Sequence, residues 1–225
     1  KVPKHVRSPD MKKVLVTGAS GFVGSALVPI LLNSGFSVRC AVRSFPLVKL
    51  DSVEYVEIGD INANTDWSLA VKGVNAVVHL AARVHQTDKK AGADIEAFRS
   101  VNVQGTKSLA KSAIDAGVNQ FVFLSSIKVN GESGTFSEAS LPDPKDAYGI
   151  SKREAEESLI EIFSGADKSL VIIRPPLIYG PGVKANLNAL IRLVRTGIPL
   201  PFGSFKNKRS LLGIGNLVDL LVNCL

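Results

Sequence analysis

The chain has 225 residues, 45% of them hydrophobic and 21% charged, enough for one substantial core and part of a second. No stretch approaches the roughly 18 apolar residues of a membrane span, and Cys40 and Cys224 have no metal-type spacing, so a reduced, cytoplasmic protein with neither metal nor membrane partner is expected. The net charge of +7 includes +2 from Lys1, Lys4, Arg7 and Asp10, and the remainder is spread thinly, which favours small anionic ligands and argues against nucleic acid.

Residues 1–10 lack the apolar core of a signal peptide and precede a Met11-Lys12-Lys13 that reads as a natural start, so they are expected to be a leader or expression scar. Lys13 to Val16 is a short β-branched run that meets Thr17-Gly18-Ala19-Ser20-Gly21-Phe22-Val23-Gly24, and an apolar helical pattern follows. That context is strand, tight turn and helix N-terminus. Gly18 frees the turn, Gly21 lets backbone approach a ligand, and Gly24 lets the helix pack on its strand. Exposed N–H groups at the helix start, with the dipole behind them, suit a pyrophosphate. The helix should run from Phe22 to Ser34, kinked at Pro29 and closed by Gly35.

Phe36 to Val42 reads as the second strand, buried on both faces except at Arg39. An acidic residue at its end would suit NAD; this chain has Arg43-Ser44, a guanidinium and a hydroxyl that suit the 2′-phosphate of NADP, so NADP is favoured over NAD. Val53 to Ile58 alternates as a third strand and runs into Gly59-Asp60-Ile61. Asp60 would there accept from an adenine amine with Ile61 against the ring, or else cap the helix containing Trp67. Ala76 to Leu80 is an unbroken apolar run, as in a central parallel strand, and Ala81 and Ala82 are small enough for a cofactor to lie over its end. His79 in that run reads as a satisfied core histidine rather than a base.

Beyond a polar loop, a long helix is expected from Ile95 to Ala116 with Asn102 near its middle, either simply exposed or holding a turn or a water near the site. Phe121 to Ser126 is a buried strand ending in two hydroxyls, and the polar loop from Lys128 to Lys145 is long enough to be expected to touch substrate. Near the C-terminus Asn216 to Val222 reads as an amphipathic helix inside which the chain stops.

Tyr148-Gly149-Ile150-Ser151-Lys152 opens a further helix and puts Tyr148 and Lys152 on one face. An ammonium near a phenol favours the phenolate and draws its pKa from about 10 toward neutrality, which suits Tyr148 to general acid/base work. Lys152 can also bond a nicotinamide ribose, and Ser126 can hold the oxygen that exchanges the proton.

These segments, with Val101-Asn102-Val103-Gln104-Gly105-Thr106 and Arg174-Pro175-Pro176, resemble the extended short-chain dehydrogenase/reductases of the nucleotide-sugar epimerase/dehydratase group. The resemblance implies an α/β fold: a Rossmann-type doubly wound parallel sheet over residues 11–176 and a small, apparently truncated nucleotide-sugar lobe over 177–225. It implies Ser126, Tyr148 and Lys152 as the catalytic set. Cofactor contacts would come from Gly18, Ser20, Gly21, Phe22, Val23, Gly24, Arg43, Asp60, Ile61, Leu80, Ala81, Ala82, Asn102, Tyr148, Lys152 and Pro175. Substrate contacts would come from Ser126, Lys128, Asn186 and Arg209, with Arg209 clamping a diphosphate, Asn186 to Thr196 closing over the sugar and Pro199 to Gly203 lying beneath a uracil. The implied reaction is hydride exchange at C4 of a nucleotide-linked hexose, UDP-linked by the resemblance, in surface polysaccharide synthesis, with a helix-mediated homodimer common in the group.

Two departures bear on the substrate. Asn130-Gly131 stands where UDP-galactose-type 4-epimerases carry Tyr-Gly, and Leu177 replaces an amide that would touch the sugar nucleotide. The run Ser126 to Glu132 is similar to that of bacterial polysaccharide-cluster enzymes that reduce a UDP-4-keto-6-deoxy-HexNAc, so epimerase and 4-keto reductase both stand. The alternatives are a reductase of non-sugar carbonyls, of the dihydroflavonol or steroid type, and a non-catalytic dinucleotide sensor.

Overall fold

The computed structural model describes residues 11–84, 94–183, 193–197 and 208–225. Six strands form one sheet: β1 (Lys13–Thr17), β2 (Ser37–Val42), β3 (Val53–Glu57), β4 (Ala76–His79), β5 (Gln120–Leu124) and β6 (Ser169–Ile173). All neighbours are parallel, in the order β3-β2-β1-β4-β5-β6. The chain therefore winds outward from β1 twice, once in each direction, and the order reverses between β1 and β4. Such a reversal opens a crevice at the carboxyl ends of the strands, where ligands of open α/β sheets bind. This is a Rossmann-type fold.

Helices cover both faces because the strands are apolar on both. On one face Leu15, Val77, Phe121 and Phe123 pack with α2 (Ser68–Val71), α4 (Thr106–Asp115) and α5 (Ala147–Phe163) through Ala70, Leu109, Ala113, Ala155 and Leu159. On the other, Val14, Val16, Val78 and Val122 pack with α1 (Phe22–Asn33) and α6 (Ile214–Asn223). Among the described residues no helix is long and apolar enough to cross a membrane.

Several expectations change. α1 runs unbroken through Pro29, because Pro29 lies on the exposed face and the carbonyl it leaves without a donor belongs to exposed Ser25. Arg39 is buried, with 6% exposure. Its Nη1 donates to the carbonyls of Leu69, Ala70 and Lys72 at 2.7–3.0 Å, and Nη2 pairs with Glu54 at 2.8 Å. The orphan carbonyls at the end of α2 need donors, and Arg39 supplies them. The long helix expected over 95–116 is three pieces, α3 (Asp94–Phe98), a π-helical segment over Arg99–Gly105, and α4.

Past residue 176 the described segments pack on the α1 side of the sheet. β7 (Leu177–Tyr179) and β8 (Leu211–Gly213) form a small parallel pair, and α6 follows at once. Leu217 and Leu221 are fully buried against the α1 layer, so α6 completes the core on that face of the sheet. The helix closes at Asn223 with Cys224 as its cap, before the last residue. Asn186, most of the 186–196 segment and 199–203 lie outside the described residues.

Gly24 is the tightest joint: a Cβ there would stand 2.3 Å from the Gly18 carbonyl oxygen and 2.6 Å from the Ala19 Cα, both backbone. Gly24→Ala is expected to cost about 2–3 kcal/mol of stability, as overpacking against an unyielding partner does, measurable as a drop in the urea midpoint. A drop under about 0.5 kcal/mol would mean that the turn yields.

Candidate active site

The strand ends gather the expected residues at one edge of the sheet. Gly18 follows β1, Arg43 follows β2, Asp60 and Ile61 follow β3, Leu80 to Ala82 follow β4, Ser126 follows β5 and Pro175 follows β6. Gly18 adopts φ +69°, and its N-terminal approach is so close that a Cβ would lie 2.8 Å from the Ala81 nitrogen. Gly21 donates to the Gly18 carbonyl at 3.0 Å and forms the N-cap of α1 with no side chain over the helix end. Ser20 and Gly21 are exposed, and a Cβ on Gly21 would meet only the Gly18 oxygen, at 3.1 Å. Bare amides at the start of a twelve-residue helix, behind a turn whose Gly18 packs on Ala81, fit a dinucleotide pyrophosphate.

At the other end of that crevice Arg43 and Asp60 pair, Nε to Oδ1 at 2.8 Å, both largely exposed. The capping alternative for Asp60 falls away, since Asp66 accepts from Ser68 at the start of α2. Ile61 is pressed against Gly105, where a Cβ would come within 2.3 Å of its Cγ2. Gly105 thus seats the Gly59-Asp60-Ile61 loop, a role that sequence reasoning missed.

A buried hydrogen-bond chain joins the glycine turn to α5. The Leu80 and Ala81 amides donate to Thr17 Oγ1 at 3.2 Å, Thr17 Oγ1 meets His79 Nδ1 at 2.7 Å, and His79 Nε2 meets Thr106 Oγ1 at 2.9 Å. Thr106 donates onward to the Asn102 carbonyl at 2.7 Å. Thr106 therefore accepts from His79 Nε2–H, and His79 Nδ1 accepts from Thr17. Burial holds the imidazole neutral, with its pKa pushed down to about 3, aided by the nearby Lys152 charge. His79 is the core histidine expected of it.

Asn102 is 1% exposed, which settles its two readings. Its Oδ1 accepts from the Arg83 amide at 2.8 Å, and its Nδ2 donates to the Arg83 carbonyl at 3.1 Å and to Ser151 Oγ at 2.9 Å. Ser151 donates in turn to the Tyr148 carbonyl at 2.8 Å. Asn102 thus holds both the segment after β4 and the first turn of α5.

That turn is set by Asp146, the N-cap of α5, whose Oδ1 accepts from Gly149 N at 2.7 Å and whose Oδ2 pairs with Lys128. Gly149 lets α5 press on the 3-10 turn over Ile127–Val129: a Cβ would lie 2.8 Å from the Lys128 carbonyl. Tyr148 is thereby placed beside Ser126, with Phe98 edge-on to its ring at 6.2 Å. Lys128 is bound to Asp146 and lies 3.9 Å from Glu132, so the structure gives it a structural partner where a substrate contact is expected. Arg209 is exposed, just before β8.

The electrostatics depart from expectation. The Tyr148 phenol is pushed up to about 12, first by burial; the Ser126 hydrogen bond lowers it and the Asp146 charge raises it. Lys152, 1% exposed, donates to the Leu124 carbonyl at 2.8 Å and stands 4.3 Å over the Phe123 ring. Burial pushes its pKa down to about 7, while the Glu156 carboxylate raises it. The ammonium is thus directed at β5, and the lowering of the phenol by its neighbour is not seen in this state. The chemistry-bearing groups are nevertheless together, a phenol and a hydroxyl in contact and an amine one helical turn away.

The family model described as "NAD dependent epimerase/dehydratase family" matches residues 14–225. The chain belongs to this family. It is 51% identical over 221 residues to a "UDP-glucose 4-epimerase" of Vibrio cholerae, covering 95% of this chain and 66% of that one. Among solved structures it is similar to "MoeE5 in complex with UDP-glucose and NAD", at TM-score 0.79 and 30% identity, covering 94% of this chain and 71% of that one. It is also similar to a UDP-glucuronic acid 4-epimerase from Bacillus cereus in complex with NAD, at TM-score 0.79 and 28% identity, over 93% and 71% of the two chains. The chain thus spans about two thirds of its curated relative's length.

Lys152 has a lower pKa folded, about 7, than its ordinary 10.5, so the folded state holds fewer protons between those values and stability rises with pH across that window. Lys152→Met is expected to remove this rise and to stabilise the chain at pH 6 by on the order of 1–3 kcal/mol. Thermal unfolding of both proteins from pH 6 to 9 checks it; parallel curves would contradict the burial cost.

Proposed function

We propose that the chain is the dinucleotide-binding, acid/base part of an NAD(P)-dependent enzyme acting at C4 of a UDP-hexose, a 4-epimerase. The observation that carries this reading is Ser126 and Tyr148 in contact at the end of β5, with Lys152 one turn along α5, beside a bare glycine turn. The likeness to a UDP-glucose 4-epimerase supports the reaction, and the UDP-sugars in the neighbouring structures support the substrate class. An intact triad argues against a purely sensory role.

The residues for the dinucleotide are the Gly18 to Gly24 turn, Arg43, Asp60, Ile61 and the Leu80 to Ala82 strand end, with Asn102 acting through that strand end and Pro175 through its carbonyl bond to Ile127 N at 3.0 Å. When bound, the nicotinamide supplies hydride exchange at the sugar C4. Tyr148 takes the proton of the C4 hydroxyl and returns it, and Ser126 holds that oxygen by hydrogen bond. Lys152 contributes positive charge that favours the phenolate and bonds the ribose. Arg209 supplies a cation for the diphosphate, and cytoplasmic location and homodimerisation remain part of this reading.

Full-length protein with UDP-glucose should form UDP-galactose without net change in reduced nicotinamide. Consumption of NADPH with a UDP-4-keto-6-deoxy sugar, and no epimerisation, would replace this reading with a net reductase. Tyr148→Phe is expected to lower kcat by at least 10³-fold with nucleotide affinity within about threefold; turnover near wild type would remove Tyr148 from the mechanism.

Arg43 supports NADP as the preferred cofactor, although the neighbouring structures hold NAD. Arg43→Ala should weaken NADPH binding about tenfold, the loss of one charge-assisted phosphate contact, and change NADH binding less than twofold. Equal effects on both, by fluorescence titration, would assign Arg43 to Asp60 alone.

A further inference from the structure

Lys152 and Glu156 lie one turn apart on the buried face of α5, 1% and 2% exposed. A buried carboxylate needs charged partners, and Arg174, at the end of β6, supplies them. Its Nε reaches Glu156 Oε1 and Oε2 at 3.0 and 3.1 Å, and its Nη2 reaches Oε2 at 2.5 Å. Arg174 Nη1 continues to Asn130 Oδ1 at 3.3 Å, and Asn130 Nδ2 donates to the Ser140 carbonyl at 3.3 Å, within the loop between β5 and α5. Asn130, 5% exposed, therefore joins this loop to a guanidinium and the guanidinium to a carboxylate, which belongs to the residue one helical turn along the buried face of α5 from Lys152.

We propose that Glu156, Arg174 and Asn130 are positioning residues that set the charge carried by Lys152 and couple it to the loop over residues 130–146. The proposal rests on Lys152 as the lysine of the proposed reaction. None of the three need touch substrate. Glu156 favours the ammonium, Arg174 divides that carboxylate's charge and opposes it, and movement of Ser140 is felt through Asn130 as a change in how tightly Arg174 grips. The other groups facing Lys152 are neutral or balanced. Tyr148 on α5 is protonated, His79 on β4 is neutral, and β5 offers the Leu124 carbonyl and the Phe123 ring. Farther out, Arg99 in the π-helical segment is paired with Glu154, and Lys128 with Asp146. That leaves Glu156, buried one helical turn along the same face of α5, as the charge assigned to act on Lys152, in the direction that favours the ammonium.

The test is a pair of variants with opposite signs. In ligand-free full-length protein labelled with ¹³Cε-lysine, the Lys152 resonance, identified by its loss in Lys152→Met, should titrate near pH 7. Glu156→Gln should move that midpoint down by about one unit, and Arg174→Met should move it up by about half a unit. Glu156→Asp should bring it back to within about half a unit of wild type. With UDP-glucose, the alkaline limb of the kcat–pH profile should move the same way in each variant. Midpoints that stay put, or move in the same direction in both variants, overturn the proposal. If one variant does not fold, the sign in the other decides. Shifts in the resonance without turnover of any UDP-sugar leave the relay standing and overturn the epimerase reading.

Discussion

Backbone packed directly on backbone holds the nucleotide end of this fold. Between Gly18, Gly24 and the start of the segment after β4 there is no room for a single methyl group, because each added Cβ would fall inside van der Waals contact with main-chain atoms. β1, α1 and β4 are therefore locked at the point where the strand order reverses. The amides of α1 are left bare because the residue that caps the helix has no side chain. One steric condition produces both the rigidity of the crevice and its affinity for anions.

The buried chain from Thr17 through His79 and Thr106 to Asn102 extends that rigidity across the sheet. Every member is at most 1% exposed, and each hydrogen is assigned a direction by the next acceptor. A chain in which all partners are satisfied orders its elements without placing charge in the core. His79 can serve in it only as a neutral ring, and its depressed pKa keeps it so at any ordinary pH. The chain reaches α5 through Ser151, which lies between the two residues expected to do chemistry. The glycine turn and the first turn of α5 are thus parts of one hydrogen-bonded body.

Much of this was legible in local spacing. The three glycines of the first turn and the four-residue step from Tyr148 to Lys152 act over distances that the chain itself defines, and the structure keeps both. What could not be seen depends on partners far apart in sequence. Arg39 finds the end of α2 thirty residues on, and Arg174 finds Glu156 eighteen residues back. The direction of the Lys152 ammonium was equally hidden, since the Leu124 carbonyl that holds it lies at the end of β5, 28 residues back. Asp146 could have been found: an Asp three residues before the Gly149 amide is a helix-start signal. The π-helical turn around Asn102 left no comparable trace beyond a poor helix former in a helical pattern.

The seating of α6 beside α1 has a consequence for how the molecule assembles. These helices are separated by nearly the whole chain, yet they close one layer together, and Lys12 Nζ reaches the Leu225 carbonyl at 3.0 Å. Contacts of such long sequence separation form late and slowly, since loop closure must precede them. On a ribosome, the glycine turn would emerge well before α6 and wait for its supporting layer until that helix had been made. Completion of the layer behind the glycine turn is in this way delegated to residues made long after it.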